Sequence, residues 1–156
     1  MGERKAADRG AYVLVLRLDQ TRIVEIGRLG WFTFEAGYYL YAGSAMRSLS
    51  ARIDRHLRRQ KTLHWHIDYL LDVADTVRAL PIRSPQRIEQ SLARSLAGIL
   101  TAGPNGFGAS DSSEVTHLFY SQIDPLQDRR FQNVLRTFRT HPPAQQHATM
   151  GQRMAG

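Results

Sequence analysis

Short apolar runs dominate the first half of the chain and recur later. Several are rich in β-branched and aromatic residues or alternate apolar with polar positions, a pattern that predicts strands. The predicted strands are residues 10–18, 21–26, 27–36, 37–43, 76–82 and 116–123. Because only Asp19 and Gln20 separate the first two runs, we expect those two strands to form a hairpin.

Four other stretches place apolar residues three and four positions apart, as one face of a helix requires. The predicted helices begin after Ser48 or Ser50, within residues 63–75, at Pro85 and near Phe131. The longest spans residues 85–102, because Ser84-Pro85 is a start signal and Gly103-Pro104 is a stop signal. Together the two patterns predict a mixed domain of short strands and amphipathic helices.

The helix that begins after Ser48 or Ser50, either of which can serve as N-cap, is amphipathic and basic. Its predicted buried face carries apolar residues at four-residue intervals, namely Leu49, Ile53 and Leu57. A neighbouring stripe carries four potentially cationic residues, namely Arg52, Arg55, His56 and Arg59. Like charges so arranged repel each other unless an anion neutralises them. The stripe therefore indicates either a solvated face or a binding surface for phosphodiester groups.

The composition favours a polyanionic partner. The chain has 156 residues, a net charge of +7 and a pI near 10.4. Nineteen of its 21 basic residues are arginine, whose planar guanidinium suits phosphate. The absence of cysteine excludes a disulfide scaffold, thiol catalysis and cysteine-ligated zinc. We find no secretory signal and no apolar run of membrane-spanning length, and we expect a cytoplasmic protein.

The patterns also divide the chain into regions. Residues 1–9 are expected to be a flexible leader, and residues 10–124 a single domain. An amphipathic helix is expected within residues 125–140. Residues 141–156 have the composition of a disordered tail.

Glu89 is the only carboxylate in the helix predicted over residues 85–102. It lies at the margin of the apolar face, where its side chain can reach a cleft. An acid in a first turn is favoured by the helix dipole, which is one interpretation. The other is a metal site, because a hard ion such as Mg²⁺ accepts a single protein carboxylate and completes its shell with water and phosphate oxygens.

A second candidate site is His64-x-His66-x-Asp68, a spacing that can signal a zinc hydrolase. Such hydrolases generally need a further histidine directly after the aspartate, where this chain has Tyr69. The sequence therefore favours a structural role, with Trp65 packed and His66 or Asp68 hydrogen-bonded, over a zinc centre.

The chain contains two tripeptides built from glycine, alanine and tyrosine, namely Gly10-Ala11-Tyr12 and Tyr41-Ala42-Gly43. They resemble the first and second signatures of the GIY-YIG nuclease superfamily, each with alanine in place of isoleucine. The strings GYYLYAGSA, LSARIDRHLRR, HWHIDYLL and SDSSEVTHLFY resemble a branch of unknown function that is sometimes fused to endonuclease III-type glycosylases. Tyr12 and Tyr41 stand 29 positions apart (41 − 12), so the resemblance implies inserted strands between the signatures.

The resemblance implies an α/β (α+β layered) fold with a small central antiparallel sheet flanked by helices. It also implies an endonuclease that hydrolyses phosphodiester bonds in DNA, in repair or processing, with one Mg²⁺ or Mn²⁺ held by Glu89. The implied catalytic residues are Tyr12, Tyr41, Arg52, His56 and Glu89. The expected nucleic-acid contacts are Ser44, Arg47, Arg55, Arg59 and Lys61.

In this interpretation Arg52 binds a phosphate oxygen, Tyr12 orients or deprotonates the attacking water, and His56 carries a proton. The expected partner is nucleic acid, above all double-stranded DNA, and no membrane is expected. Two alternatives stay open. One is a catalytically silent nucleic-acid-binding or repair-accessory module with the same fold, and the other is a zinc hydrolase centred on His64, His66 and Asp68.

Overall fold

The computed structural model describes residues 7–109 and 112–140. Within them the strands are β1 (Gly10–Leu18), β2 (Arg22–Ile26), β3 (Gly30–Phe34), β4 (Gly37–Ala45), β5 (Thr76–Arg83), β6 (Thr101–Ala102) and β7 (Leu118–Ser121). The α-helices are α1 (Leu49–Leu57), α2 (His66–Leu71), α3 (Glu89–Ala97) and α4 (Arg129–Thr140). No helix in the described part of the chain is long and apolar enough to cross a membrane.

Five strands form an antiparallel sheet in the order β5-β1-β4-β7-β6. The longest pairing joins β1 to β4, from Gly10 opposite Ala45 to Leu18 opposite Gly37. Every residue of β1 except Arg17 is buried, because the sheet is covered on both faces. The predicted α+β fold with a small central antiparallel sheet is therefore confirmed.

Two apolar cores lie on the two faces of the sheet. On one face, Tyr12 and Tyr41 pack with α1, α2 and the ribbon formed by β2 and β3. On the other face, Val13 and Leu40 pack with α3 and α4. The alternation of side chains along β1 and β4 thus sends one set of residues into each core.

The predicted hairpin between residues 10–18 and 21–26 is wrong. Both edges of β1 are occupied, one by β4 and the other by β5, so no edge is left for β2. Instead β2 pairs with β3 in a separate two-stranded ribbon. The ribbon is stable because Val24, Ile26 and Phe34 are buried against the first core. It occupies the place in the chain where the resemblance implies inserted strands.

The described part of the predicted leader, residues 7–9, belongs to the fold. The Asp8 carbonyl accepts a hydrogen bond from the Leu49 amide at 3.0 Å, and the Asp8 carboxylate accepts one from the Ser50 amide at 3.0 Å. Ser48 stands at the N-cap of α1, but its side chain caps nothing. Asp8 therefore caps α1. Residues 1–6 of the predicted leader and the predicted tail, residues 141–156, lie outside the described residues.

The predicted faces of the basic helix need correction. Leu49 is buried, but Leu57 is 46% exposed because α1 ends there and Arg58 is already extended. His56 takes the buried place instead, at 2% exposure. Arg59 lies beyond the end of α1, so it does not share a helical stripe with the other three cationic residues.

The third helix is shorter than the predicted span of residues 85–102. The chain before Glu89 forms a turn, in which the Ser84 hydroxyl accepts a hydrogen bond from the Gln86 amide at 3.1 Å. After Gly98 it reverses so that β6 pairs with β7 at the sheet edge. Glu89 is consequently the first residue of α3. The strand predicted over 116–123, the helix predicted within 63–75 and the amphipathic helix predicted within 125–140 are present as β7, α2 and α4.

Candidate active site

A cavity of about 300 Å³, here called the Glu89 cavity, opens beside the last residues of β4. The predicted site residues that line it are Tyr12, Tyr41, Ser44, Arg52 and Glu89. The rest of its wall comprises His64, Trp65, His66, Gln90, Gly108 and Ser112. The structure therefore brings together four of the five predicted catalytic residues.

Glu89 reaches this cavity from a helix on the other side of the sheet. The apolar residues of α3 belong to the second core, whereas Tyr12 and Tyr41 belong to the first. Regular pairing of β4 with β7 ends at Tyr41, so β4 continues beyond its neighbour and leaves the sheet open there. Ser44 Oγ then donates a hydrogen bond of 3.0 Å to Glu89 Oε1. The carboxylate thus enters the cavity around the end of β7.

Arg52 lines the same cavity as this carboxylate and is held on two sides. Its guanidinium donates a hydrogen bond of 3.1 Å to the Ser44 carbonyl. It also lies over the Trp65 ring, 4.4 Å from the ring centroid. A stacked, hydrogen-bonded guanidinium loses little freedom when it binds an anion, so Arg52 is prepared for a phosphate oxygen.

Tyr12 is buried at the floor of the cavity, with 2% of its surface exposed. A Cβ on Gly43, its partner on β4, would lie 2.4 Å from both Cζ and Oη of Tyr12, so this position must be glycine. Burial raises the pKa of the Tyr12 phenol above its usual range, although the nearby Arg52 charge acts in the opposite direction. Tyr12 is therefore protonated at neutral pH.

His56 stands behind Tyr12, and its Nε2 is 2.8 Å from Tyr12 Oη. Burial lowers the pKa of His56 to about 4; the Asp68 charge opposes this, and the positive charges of Arg52, Arg55 and Lys61 reinforce it. The imidazole is therefore neutral at pH 7. Its Nδ1 has no hydrogen-bond partner within the described residues and lies 3.9 Å from Asp68 Oδ1.

A neutral imidazole has one protonated and one unprotonated nitrogen. The Asp68 charge favours the proton on Nδ1, the nitrogen that faces it. In that tautomer Nε2 accepts the hydrogen bond that Tyr12 Oη donates. His56 is thus arranged to receive a proton from Tyr12.

Asp68 is fully buried, and both oxygens of its carboxylate accept hydrogen bonds. Arg55 donates to both carboxylate oxygens, at 2.9 and 3.0 Å. The amides of His64 and Trp65 donate to Oδ2 at 2.8 and 2.9 Å. Burial acts to raise the pKa of Asp68, but the hydrogen bonds from Arg55 and the two amides outweigh it and lower that pKa. Asp68 therefore anchors the start of α2 to α1.

This anchoring gives the His64-x-His66-x-Asp68 segment a structural role. His66 Nδ1 accepts a hydrogen bond of 2.9 Å from the Gly108 amide, so that nitrogen is already used. Across residues 7–109 and 112–140, no group of three or more histidine, cysteine, aspartate or glutamate side chains could hold a metal ion. The zinc-centre interpretation has no support from this geometry.

The remaining predicted nucleic-acid contacts lie around α1. Arg47 and Arg59 are exposed. The guanidinium of Arg55 is engaged by Asp68, and its Cζ lies 4.4 Å from the Trp65 ring centroid. Lys61 Nζ donates to two backbone carbonyls near the end of α1, including that of His56 at 3.1 Å. Arg55 and Lys61 thus already have protein partners.

Sequence analysis missed His117, which contacts the carboxylate of Glu89. Its buried Nδ1 lies 3.1 Å from the Ala42 carbonyl and 3.3 Å from Glu89 Oε2, and its Nε2 lies 3.0 Å from Ser112 Oγ. Burial acts to lower the pKa of His117, but the hydrogen bonds to Glu89 and Ala42 outweigh it and raise that pKa. No spacing rule indicated this contact, because His117 directly precedes β7 and far follows Glu89 in the chain.

Comparison with known proteins gives one match. Residues 11–140 match the sequence model of a family described as Domain of unknown function DUF123. No curated protein and no solved structure was found to match. The family match covers 130 of the 156 residues (140 − 11 + 1). It includes the whole Glu89 cavity, and the chain therefore belongs to the DUF123 family.

Proposed function

We propose that this protein is a divalent-metal-dependent endonuclease of the GIY-YIG type that hydrolyses phosphodiester bonds in DNA. One observation supports this most: a carboxylate, a guanidinium and a histidine-linked phenol meet in the Glu89 cavity. These groups meet the needs of phosphodiester hydrolysis, which are charge neutralisation, phosphate orientation and proton transfer.

The cavity residues fit a single hard cation. Glu89 offers a carboxylate whose side chain is 29% exposed, and the Ser44 hydroxyl lies beside it. Oxygen donors with room for water and phosphate are what Mg²⁺ and Mn²⁺ prefer. Glu89 would hold the ion, which would neutralise the scissile phosphate and stabilise the leaving oxygen.

The protein groups would act around the phosphate as follows. Arg52 binds a non-bridging oxygen, held in place by Trp65 and the Ser44 carbonyl. Tyr12 orients the attacking water and passes its own proton to His56 Nε2 as it takes one from the water. Burial raises the pKa of Tyr41 well above its usual value, so this phenol stays protonated and can donate a hydrogen bond to the substrate.

The catalytically silent module remains the second candidate, and one observation favours it. Tyr12 is 2% exposed and its raised pKa makes it a poor base without help. A protein with the basic surface but with a Tyr12 that cannot take a proton from water would bind nucleic acid without cutting it. In either case we propose double-stranded DNA as the partner, a role in repair or processing, and a cytoplasmic location.

Cleavage and binding of end-labelled DNA, measured together, test the proposal. Intact, nicked, flapped and branched duplexes are incubated with Mg²⁺, Mn²⁺ or EDTA. Wild type should cleave at least one substrate in Mg²⁺ or Mn²⁺ but not in EDTA. The variants Glu89→Gln and Arg52→Gln should each slow cleavage about 100-fold or more.

Exposed residues of the β2–β3 region supply matched controls for the same assay. Glu25→Gln and Arg28→Gln remove the same charges from exposed residues that do not line the cavity, and these variants should cleave as wild type does. Tight binding by wild type without cleavage of any substrate would establish the silent module instead. Cleavage that needs zinc and survives both cavity substitutions would contradict the proposed site.

A further inference from the structure

A second cavity, of about 560 Å³, adjoins the Glu89 cavity. Five arginines line it, and we call it the arginine cavity: Arg47, Arg52, Arg55, Arg58 and Arg87. No aspartate or glutamate is among its lining residues in the described part of the chain. It lies between the turn after β4, the outer side of α1 and the turn before α3.

Most of this positive charge is uncompensated. Arg55 is paired with Asp68, and the Arg52 guanidinium donates to the Ser44 carbonyl. Arg47, Arg58 and Arg87 are exposed, and their guanidinium groups form no hydrogen bond or ion pair with any other described residue. Like charges around one concave surface repel each other, and an anion bound there removes that repulsion.

The anion would be bound by side chains and not by helix amides. The first amides of α1, those of Leu49 and Ser50, already donate to Asp8. The guanidinium groups remain as donors, and their planar forks match phosphate oxygens. The chemistry of the arginine cavity is therefore that of a phosphate site.

Two residues connect the arginine cavity to the Glu89 cavity. Ser44 and Arg52 line both cavities, so the two cavities share these residues as a common wall. Arg87, which lines the arginine cavity, is two positions before Glu89 in the chain. An elongated ligand with phosphates at intervals can therefore occupy both cavities at once.

We propose that the arginine cavity binds backbone phosphates of the substrate strand next to the phosphodiester at Glu89. This inference rests on the proposed nuclease function and adds to it a second binding site for the substrate strand. The substrate is a polynucleotide strand long enough to reach both cavities, not a mononucleotide or a small phosphodiester. Arg47, Arg58 and Arg87 hold the flanking phosphates, while Arg52 serves the scissile one.

Fluorescence anisotropy with a labelled DNA oligonucleotide tests this in EDTA, where cleavage is suppressed. The cavity variant carries Arg47→Gln, Arg58→Gln and Arg87→Gln. The control variant carries Arg22→Gln, Arg28→Gln and Arg129→Gln, which remove the same charge from exposed positions outside the cavity. The three cavity side chains are exposed, so we expect the cavity variant to fold, which thermal unfolding verifies.

The cavity variant should weaken binding at least about tenfold more than the control variant. The slope of log Kd against log[salt] should fall by about 2 to 3, because each lost phosphate contact removes about 0.7 to 0.9 of slope. The control should keep the wild-type slope. If the cavity variant unfolds, the three single substitutions are measured, each with an expected slope loss of about 0.7 to 0.9.

The same variants separate this inference from the nuclease proposal. Where wild type cleaves, the cavity variant should raise KM for the oligonucleotide, whereas the control variant should keep the wild-type KM. Equal Kd values and slopes for cavity and control variants would overturn the inference even if wild type cleaves DNA. Failure of wild type to bind the oligonucleotide would overturn it as well. Cavity-dependent binding without cleavage would uphold the inference and refute the nuclease proposal.

Discussion

Lowering the pH from 7 to 5 should weaken the fold through the buried imidazole of His56. Its ionisable neighbours are Tyr12 on β1, Asp68 on α2, Arg52 and Arg55 on its own helix, and Lys61 just after that helix. Tyr12 stays protonated in this range, and the lowered pKa of Asp68 keeps that carboxylate ionised. Only one negative charge therefore favours the imidazolium, against burial and three positive charges.

The size of the effect follows from the two pKa values of His56. The unfolded chain takes up its proton near pH 6.5, whereas the folded protein does so at about 4. The unfolded state thus binds more protons between these values, and stability falls as the pH falls. The full loss is about 3 kcal/mol, of which about 2 kcal/mol accrues between pH 7 and pH 5.

Urea unfolding at pH 7, 6 and 5 measures this loss. Wild type should lose about 2 kcal/mol more than His56→Gln, which cannot take up the proton. His64→Gln is the matched control, because His64 is exposed, and it should keep the wild-type loss. Equal losses in wild type and His56→Gln would refute the neutral, buried imidazole, and with it the proton path from Tyr12.

Further predictions concern the packing around the same site. Gly43→Ala should cost about 1 to 3 kcal/mol in urea unfolding, because its Cβ would overlap the Tyr12 phenol. Gly98→Ala, where the new Cβ meets its nearest neighbour at 3.4 Å, should stay within about 0.5 kcal/mol, and equal effects would contradict the packing. Asp68→Asn should cost about 3 kcal/mol, because the Arg55 charge loses its buried partner, and a change below about 1 kcal/mol would contradict that role.

The sequence predicts the strands better than their partners. β1 and β4 are readable because apolar and aromatic residues fill them, as a sheet covered on both faces requires. Pairing depends on contacts far apart in the chain, and β1 takes β5 as its second neighbour in preference to the adjacent β2. The predicted third helix is too long for a similar reason, since residues 101–102 pair with β7 at the sheet edge as β6.

For the site, spacing and resemblance identify residue types but not their surroundings. Tyr12, Arg52 and Glu89 could be named in advance, and they do share one cavity. That His56 is buried and neutral depends on its packing against Tyr12 and Trp65, which no spacing encodes. The arginine cavity was not predicted as a unit, because Arg87 comes from a turn that was expected to be helical.

The proposal stands or falls on whether the carboxylate of Glu89 is needed to cut DNA. Relaxation of supercoiled plasmid in Mg²⁺ measures this directly. It is followed for wild type and Glu89→Gln at protein concentrations that bind the same fraction of the plasmid. We predict metal-dependent nicking by wild type and a nicking rate at least about 100-fold lower in the variant. Nicking at the same rate by both proteins, or none by wild type in either Mg²⁺ or Mn²⁺, would contradict the account.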